Sequence, residues 1–324
     1  MRVSQTNCGI NLTETILVSG GAGFIGSHLC DALVDDYKVL IVDNLSTGRR
    51  KNVNHLLEKE NFELIKHDVI EPLNIPNDID YLFHLASRAS PVDYQEHPVH
   101  TLRTNSEGTF NMLKLAYEND AIFLYASTSE VYGDPEEHPQ PETYNGNVNP
   151  NGPRACYDEG KRFGEASIAA FSKNKPLDWK IVRIFNTYGP RMRPDDGRVI
   201  STFIDQALND EPLTVHGTGK QTRSFCYVED MVEGLKKMMF RDEAEQQIIN
   251  LGNPEEISIA ELANMIRKFS DGDSEIIHED RPEDDPERRK PDISKAKRVL
   301  NWKPETGLEE GIKRTINEFS TKSV

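Results

Sequence analysis

Short apolar runs and amphipathic stretches alternate over the first 185 residues of the chain. Ile16 to Val18, Lys38 to Val42, Phe62 to Lys66, Asp80 to Ala86, Ala121 to Ala126 and Lys180 to Phe185 have the length and mainly apolar character of strands in a covered parallel sheet. Helical spacing joins Leu29, Cys30, Ala32 and Leu33, and a second helix is expected over His55, Leu56 and Leu57. Pro98 opens a long helix with Leu102, Phe110, Leu113 and Ala116 on its apolar side, and another is expected from Cys156 to Ser172. This alternation predicts the α/β class, with a doubly wound parallel sheet. Beyond residue 187 the pattern breaks up. Proline, glycine and arginine dominate Gly189 to Arg198, and helical pieces near 200–209, 229–240 and 258–269 alternate with short extended runs. The run Gln247 to Leu251 predicts a return to the sheet. The expected division is a polar tail over 1–14, a sheet domain over 15–187 with a return segment near 224–251, and a smaller C-terminal substrate-binding lobe from 188–223 and 252–324. The loop from Asp134 to Pro153 is rich in proline, glycine and asparagine and long for a plain link, so it is expected to border an active site.

The chain has 324 residues, 36% of them hydrophobic, which is ample for a core larger than one ordinary domain. Its formal charge of −16 repels polyanions and argues against nucleic acid or an anionic membrane as a partner. An anionic substrate must then be drawn in by local positive charge. No apolar run approaches the roughly 20 residues that span a bilayer, and residues 1–14 lack the apolar stretch of a signal peptide. Cys8, Cys30, Cys156 and Cys226 are scattered without a C-x-x-C pair, as expected for thiols in a reducing cytoplasm. His84 and His138 have no acids or cysteines at ligand spacing, so no metal is expected. By itself the charged run Glu279 to Lys290 looks like a solvated loop.

The chemistry begins where the first strand ends. Gly20, Gly23 and Gly26 read as G-x-x-G-x-x-G, and Gly21, Gly23 and Gly26 as G-x-G-x-x-G. Between a strand and a helix, such a turn lets backbone N–H groups approach a pyrophosphate at the helix N-terminus. The second strand ends in Asp43, 20 residues after Gly23, where a carboxylate accepts hydrogen bonds from ribose hydroxyls and repels a 2′-phosphate. The reading is a Rossmann sheet that binds NAD in preference to NADP. Tyr157 and Lys161 share one face of a helix that follows the strand ending in Ser127-Thr128-Ser129. A tyrosine serves there as a base. Its ordinary pKa of about 10 must fall by about three units to work near neutrality, roughly 4 kcal/mol. A nearby ammonium and an oxidised nicotinamide supply that by stabilising phenolate. With Thr128 on the same oxygen, the constellation points to hydride transfer at a carbinol carbon.

These residues resemble the extended short-chain dehydrogenase/reductase family. Within it, five segments resemble the UDP-glucuronate decarboxylases, also called UDP-xylose synthases: Ser127 to Pro135, Asn149 to Arg162, Arg183 to Met192, Gln221 to Val228, and Arg288 to Ile293. The resemblance implies oxidation of the glucuronosyl C4 by NAD, loss of carbon dioxide from C5, and re-reduction of the 4-keto pentose to UDP-xylose. It implies that Tyr157 carries the O4 proton, that Lys161 also holds the nicotinamide ribose, and that Glu130 and Arg289 lie near the sugar. Ser129, Asn186, Arg191, Arg198, Arg223 and Arg289 are the implied substrate contacts. Gly20, Gly23, Phe24, Ile25, Gly26, Asp43, Asn44, Asp68, Val69, Leu85, Ala86, Ser87 and Thr104 are the implied NAD contacts, with Asp68 equally readable as a strand-end cap. Ser19 and the Tyr144-Asn145-Gly146 stretch depart from residues common in the family. A 4,6-dehydratase usually carries Asp-Glu where this chain has Ser129-Glu130; a 4-epimerase usually lacks the Arg-Lys-Pro-Asp-Ile segment. A non-enzymatic NAD-binding scaffold usually loses the tyrosine or the lysine, and both are present. Members commonly pair through helices near 98–118 and 156–172, so a homodimer is expected.

Overall fold

A computed structural model describes residues 14–75, 78–270, 272–281 and 287–321. The polar tail, apart from Glu14, lies outside the described residues, as do residues 282–286 of the charged run. The first half of the chain supplies β1 (Thr15–Ser19), α1 (Phe24–Leu33), β2 (Lys38–Asp43), β3 (Phe62–Lys66), β4 (Tyr81–His84), α2 (Pro91–Glu96), α3 (Pro98–Arg103), α4 (Thr109–Glu118), β5 (Ile122–Thr128), α5 (Ala155–Asn174) and β6 (Trp179–Ile184). The second half supplies β7 (Thr187–Tyr188), α6 (Val199–Leu208), β8 (Leu213–His216), β9 (Thr222–Ser224), β10 (Cys226–Tyr227), α7 (Val228–Phe240), β11 (Ile248–Leu251), β12 (Glu256–Ser258), α8 (Ile259–Phe269), β13 (Ile276–Glu279), β14 (Arg288–Arg289), α9 (Ser294–Leu300) and α10 (Leu308–Ser320).

Seven strands form one parallel sheet in the order β11-β6-β5-β4-β1-β2-β3. The doubly wound sheet expected from the alternating pattern is thus the sheet observed. Val18 lies across from Ile41 on one side and Phe83 on the other. Ile16, Val18 and Ile41 pack in a core with residues of α1, α6, α7 and α10, whereas Leu17, Leu40 and Leu82 pack with Met112, Leu113 and Ile168 of α4 and α5. Alternate side chains therefore face two covering layers, which is why the strands read as nearly continuous apolar runs. The chain leaves β3 at one edge and re-enters at β4 beside β1, so the strand order reverses between β1 and β4. Open α/β sheets carry their crevice outside the carboxyl ends at such a point.

Two expectations about helices change. The stretch around His55 forms two short 3₁₀ turns, Arg50–Asn52 and Asn54–Leu56, because Asn52 is pulled onto the first turn of the sheet domain by donating to the Ala22 carbonyl at 2.9 Å. The long helix opened by Pro98 is interrupted by a π turn at Thr104–Gly108 between α3 and α4. There the hydroxyls of Thr104 and Thr109 donate to the carbonyls four residues earlier, His100 and Asn105, both at 2.9 Å. Such back-bonding competes with the helical ladder and favours a local bulge.

The long loop is also corrected: among the described residues, none of 134–153 borders the cavity, and only the flanking Glu130 and Arg154 do. The loop packs behind that wall. Buried Gln140 donates its backbone N–H to the Lys290 carbonyl and accepts at its own carbonyl from Asp292 N–H, both at 2.9 Å. Lys290 N–H donates to Gln140 Oε1 at 2.8 Å, and Asn250 Nδ2 donates to the Gln140 carbonyl at 2.9 Å. The described end of the charged run is likewise no solvated loop. It forms β14 against β9, with Arg289 across from Arg223, and Arg289 is buried.

Candidate active site

A cavity of about 730 Å³ runs along the carboxyl ends of β1, β4 and β5, and all of the candidate cofactor and substrate residues border it. At one end, Gly20 has φ +76°, a backbone conformation suited to glycine. A Cβ there would stand 2.8 Å from the Ala86 nitrogen, and one on Gly26 would stand 2.2 Å from the Gly20 carbonyl oxygen. The turn is therefore as close to α1 and to the loop after β4 as backbone permits. Gly23 caps α1 without a side-chain bond, and no acid sits in the first turn with Phe24 and Ile25. The helix end presents free N–H groups and the positive end of its dipole to the cavity.

Asp43 is buried at the end of β2 and accepts from Ala22 N–H at 3.0 Å and Leu45 N–H at 2.8 Å. Burial raises its carboxyl above the usual value, against the pull of those two donors. Asp68 accepts from Asn44 Nδ2 at 2.7 Å and from Ile70 N–H at 3.1 Å, and lies 2.9 Å from His100 Nε2. Burial opposes its ionisation, but these partners outweigh it and hold the carboxyl below its ordinary value. Its bond from Ile70 is that of a local cap, and the same side chain borders the cavity with Val69 and Thr104. Leu85 and Ala86 are tied to β1 through Ser19, whose carbonyl accepts from Leu85 N–H at 3.0 Å. Ser87 accepts from Asn105 Nδ2 at 3.1 Å.

Tyr157 and Lys161 rise from α5 at the other end of the crevice. Lys161 is buried, donates Nζ to the Ala126 carbonyl at 2.7 Å and stands 6.0 Å from the centre of the Tyr157 ring. Burial pulls its ammonium down to about 7, with Glu165 opposing. Burial pushes the Tyr157 phenol above its usual value, while the bond with Thr128 draws it down. Tyr94 of α2 stacks on Tyr157 with ring centres 5.2 Å apart. Beside this pair Glu130 is clamped between Arg154 and Arg289, one guanidinium on each carboxylate oxygen. Burial opposes ionisation of Glu130, but the two cations hold it well below the usual carboxylate range. Among the described residues no three His, Cys, Asp or Glu side chains converge as a metal site.

The remaining candidates border the cavity from the part of the chain that follows β6. Asn186 donates Nδ2 to the Ser224 carbonyl at 3.4 Å, and Arg223 donates to the Thr222 carbonyl at 2.8 Å. Arg191 has φ +68° and pairs with Asp31 of α1 at 2.5 Å; Arg198 pairs with buried Asp196. Among the cavity-lining residues left unassigned by the sequence reading are Arg154, Tyr94, His100 and Asp196. Only Arg154 left a signal. It is a cation at the start of a helix, three residues before Tyr157, where the helix dipole disfavours it.

Fold and site together define an extended short-chain dehydrogenase/reductase, and the family model described as GDP-mannose 4,6 dehydratase matches residues 17–315. UDP-glucuronic acid decarboxylase 1 of Xenopus tropicalis is 54% identical over 94% of this chain and 72% of its own length. UDP-glucuronic acid decarboxylase 1 of Arabidopsis thaliana is 51% identical over 95% of this chain and 70% of its own. The chain belongs to the UDP-glucuronic acid decarboxylases of that family. Among solved structures, UDP-glucuronic acid 4-epimerase from Bacillus cereus in complex with UDP-glucuronic acid and NAD has a TM-score of 0.85 at 30% identity, over 95% of this chain and 99% of the other. UDP-glucose 4-epimerase from Thermotoga maritima with UDP-glucose has a TM-score of 0.86 at 28% identity, over 96% and 100%.

Proposed function

We infer that the chain converts UDP-glucuronate to UDP-xylose and carbon dioxide, with NAD held throughout the cycle. The observation that carries this reading is Glu130, kept as a carboxylate between two arginines beside Tyr157. A dehydratase needs an acid at this place to expel water. Here the neighbouring position is Ser129, and Glu130 is too strongly ionised to donate a proton. The glycine turn fits a dinucleotide, since a side chain at Gly20 or Gly26 would strike the backbone of Ala86 or Gly20 and push the turn away from the N-terminus of α1. Buried Asp43, whose carboxyl holds two backbone donors, suits ribose hydroxyls and rejects a 2′-phosphate.

NAD held by the glycine turn, Asp43 and Lys161 would supply a hydride acceptor for C4 and, once carbon dioxide has left, the hydride donor. Tyr157 accepts the proton of the C4 hydroxyl and later gives one back, with Thr128 sharing that oxygen. Burial disfavours charge on both Tyr157 and Lys161, so positive charge brought beside them favours the phenolate. The resulting ketone stands β to the C5 carboxylate. The bond from C5 to the carboxylate carbon breaks, its electron pair is taken up as an enolate, and a proton added at C5 gives the 4-keto pentose. Glu130 and Arg289 face the carboxylate end; Ser129, Asn186, Arg191, Arg198 and Arg223 serve the UDP-sugar. Residues 15–187 with the segment 224–251 hold NAD, and 188–223 with 252–324 hold the UDP-sugar. Val99, Leu102, Phe110 and Phe163 are exposed on α3, α4 and α5, an apolar face suited to a homodimer. The three described cysteines are free thiols, which suits a reducing cytoplasm.

A 4-epimerase shares the oxidation and re-reduction, and the likeness to the Bacillus cereus structure keeps it as the second reading. Purified protein given UDP-glucuronate should release carbon dioxide and UDP-xylose in equal amounts. UDP-galacturonate without carbon dioxide would establish the epimerase instead.

A further inference from the structure

We propose that Arg154 is a positioning residue for decarboxylation, acting through Glu130. The inference rests on the decarboxylase reading above. Arg154 is the N-cap residue of α5 yet makes no cap bond, at a position where serine, threonine, aspartate or asparagine normally satisfies the first N–H groups. A cation there also opposes the helix dipole. Helix formation alone therefore does not account for an arginine at this site. Its guanidinium instead reaches out of the helix and binds Glu130 Oε2, while Arg289 binds Oε1. The two cations stand far apart in the sequence, one at the start of α5 and the other on β14, and Glu130 is the point where they meet.

Asp158 explains why Arg154 is committed to Glu130. It lies one turn further along α5, with Oδ2 3.9 Å from Arg154 Nε, too far for a hydrogen bond. Its other oxygen is buried and has no partner. Burial first, then the charge of Glu130, push its carboxyl up, so near neutrality it does not compete for the guanidinium. Around Glu130 stand Arg154, Asp158 and Tyr157 from α5 and its cap, Tyr94 from α2 and Arg289 from β14. In that set, two guanidinia face one firmly ionised carboxylate. The surplus positive charge lies where the sugar carboxylate is expected, and Arg154 fixes the carboxylate around which it is arranged.

The test is a double-mutant cycle with Arg154→Gln and Glu130→Gln, read on UDP-glucuronate, with NAD content and melting temperature confirming the fold. Arg154→Gln should lower kcat/KM by roughly tenfold or more, while binding of UDP and UDP-xylose, which lack the carboxylate, changes by less than about threefold. It should also move the acid limb of the pH–rate profile upward, because Glu130 loses one of the two cations that keep it ionised. On the Glu130→Gln background the same change should add little, since the residue acts through Glu130. Should Arg154→Gln fail to fold, the cycle is run with Arg154→Lys, which keeps a charge but not the fork. Additive losses, or equal weakening of UDP and UDP-glucuronate, would overturn the proposal. A wild type that releases no carbon dioxide from UDP-glucuronate would overturn the functional reading, and this inference with it. An active wild type with an additive cycle overturns the role of Arg154 alone.

Discussion

Replacing Lys161 with methionine should abolish turnover and yet stabilise the NAD-free protein near neutral pH. Lys161 is buried, and its ammonium is pulled from 10.5 down to about 7. At about 1.4 kcal/mol for each pKa unit, keeping that lysine in the folded chain costs roughly 4 kcal/mol at pH 7. Methionine carries no charge and fills much the same length. It also leaves the Ala126 carbonyl without the 2.7 Å bond from Nζ, a loss of about 1–2 kcal/mol. The expected net gain is about 2–3 kcal/mol, an order-of-magnitude figure. The sign of the pH dependence follows from proton uptake. Between pH 7 and 10.5 the unfolded lysine is protonated and the folded one is not, so this group makes the wild type more stable as pH rises. The advantage of the variant should therefore shrink from pH 7 to pH 9.5. Urea unfolding of NAD-stripped wild type and Lys161→Met at those two pH values measures it directly. A variant less stable than the wild type at pH 7, or a gain that is the same at both pH values, would refute the reasoning.

Tyr157→Phe keeps the stack on Tyr94 but removes the ionisable oxygen; it should fold, bind NAD and lose about 10²-fold or more in turnover, measured as carbon dioxide release. Asp43→Ala removes the buried carboxylate at the ribose and should narrow the preference for NAD over NADP in titrations; equal affinities in the wild type would count against the assignment. Phe163→Asp places a charge beside Phe110 on the exposed apolar face, and sedimentation velocity should then report monomer where the wild type reports dimer.

The sheet and the pairing of Tyr157 with Lys161 were legible because each is encoded locally. A glycine turn between a strand and a helix, an acid at the end of the next strand and a tyrosine four residues before a lysine are all spacings within a few dozen residues. The segment around His55 misled because three residues of mixed character cannot tell a helix from two 3₁₀ turns pulled in by Asn52. Arg289 could be placed near the sugar only by resemblance. Its charged neighbours read as solvent-facing, and its burial depends on pairing between β14 and β9, more than 60 residues apart. Arg154 carried its signal in breaking a helix rule, but its partner Glu130 lies on a separate turn across a 24-residue gap. Likewise, nothing in the spacing of Asp68 and His100 announces that they meet.

The bonds around Gln140 give the cavity a fixed jaw. Gln140 ties the loop behind Glu130 to Lys290 and Asp292, and Asn250 at the sheet edge fastens the knot from a third direction. Arg289 immediately precedes Lys290, so the brace fixes its backbone, while its guanidinium is held by Glu130 and the Gly133 carbonyl. A UDP-sugar therefore meets a back wall whose charges are already set.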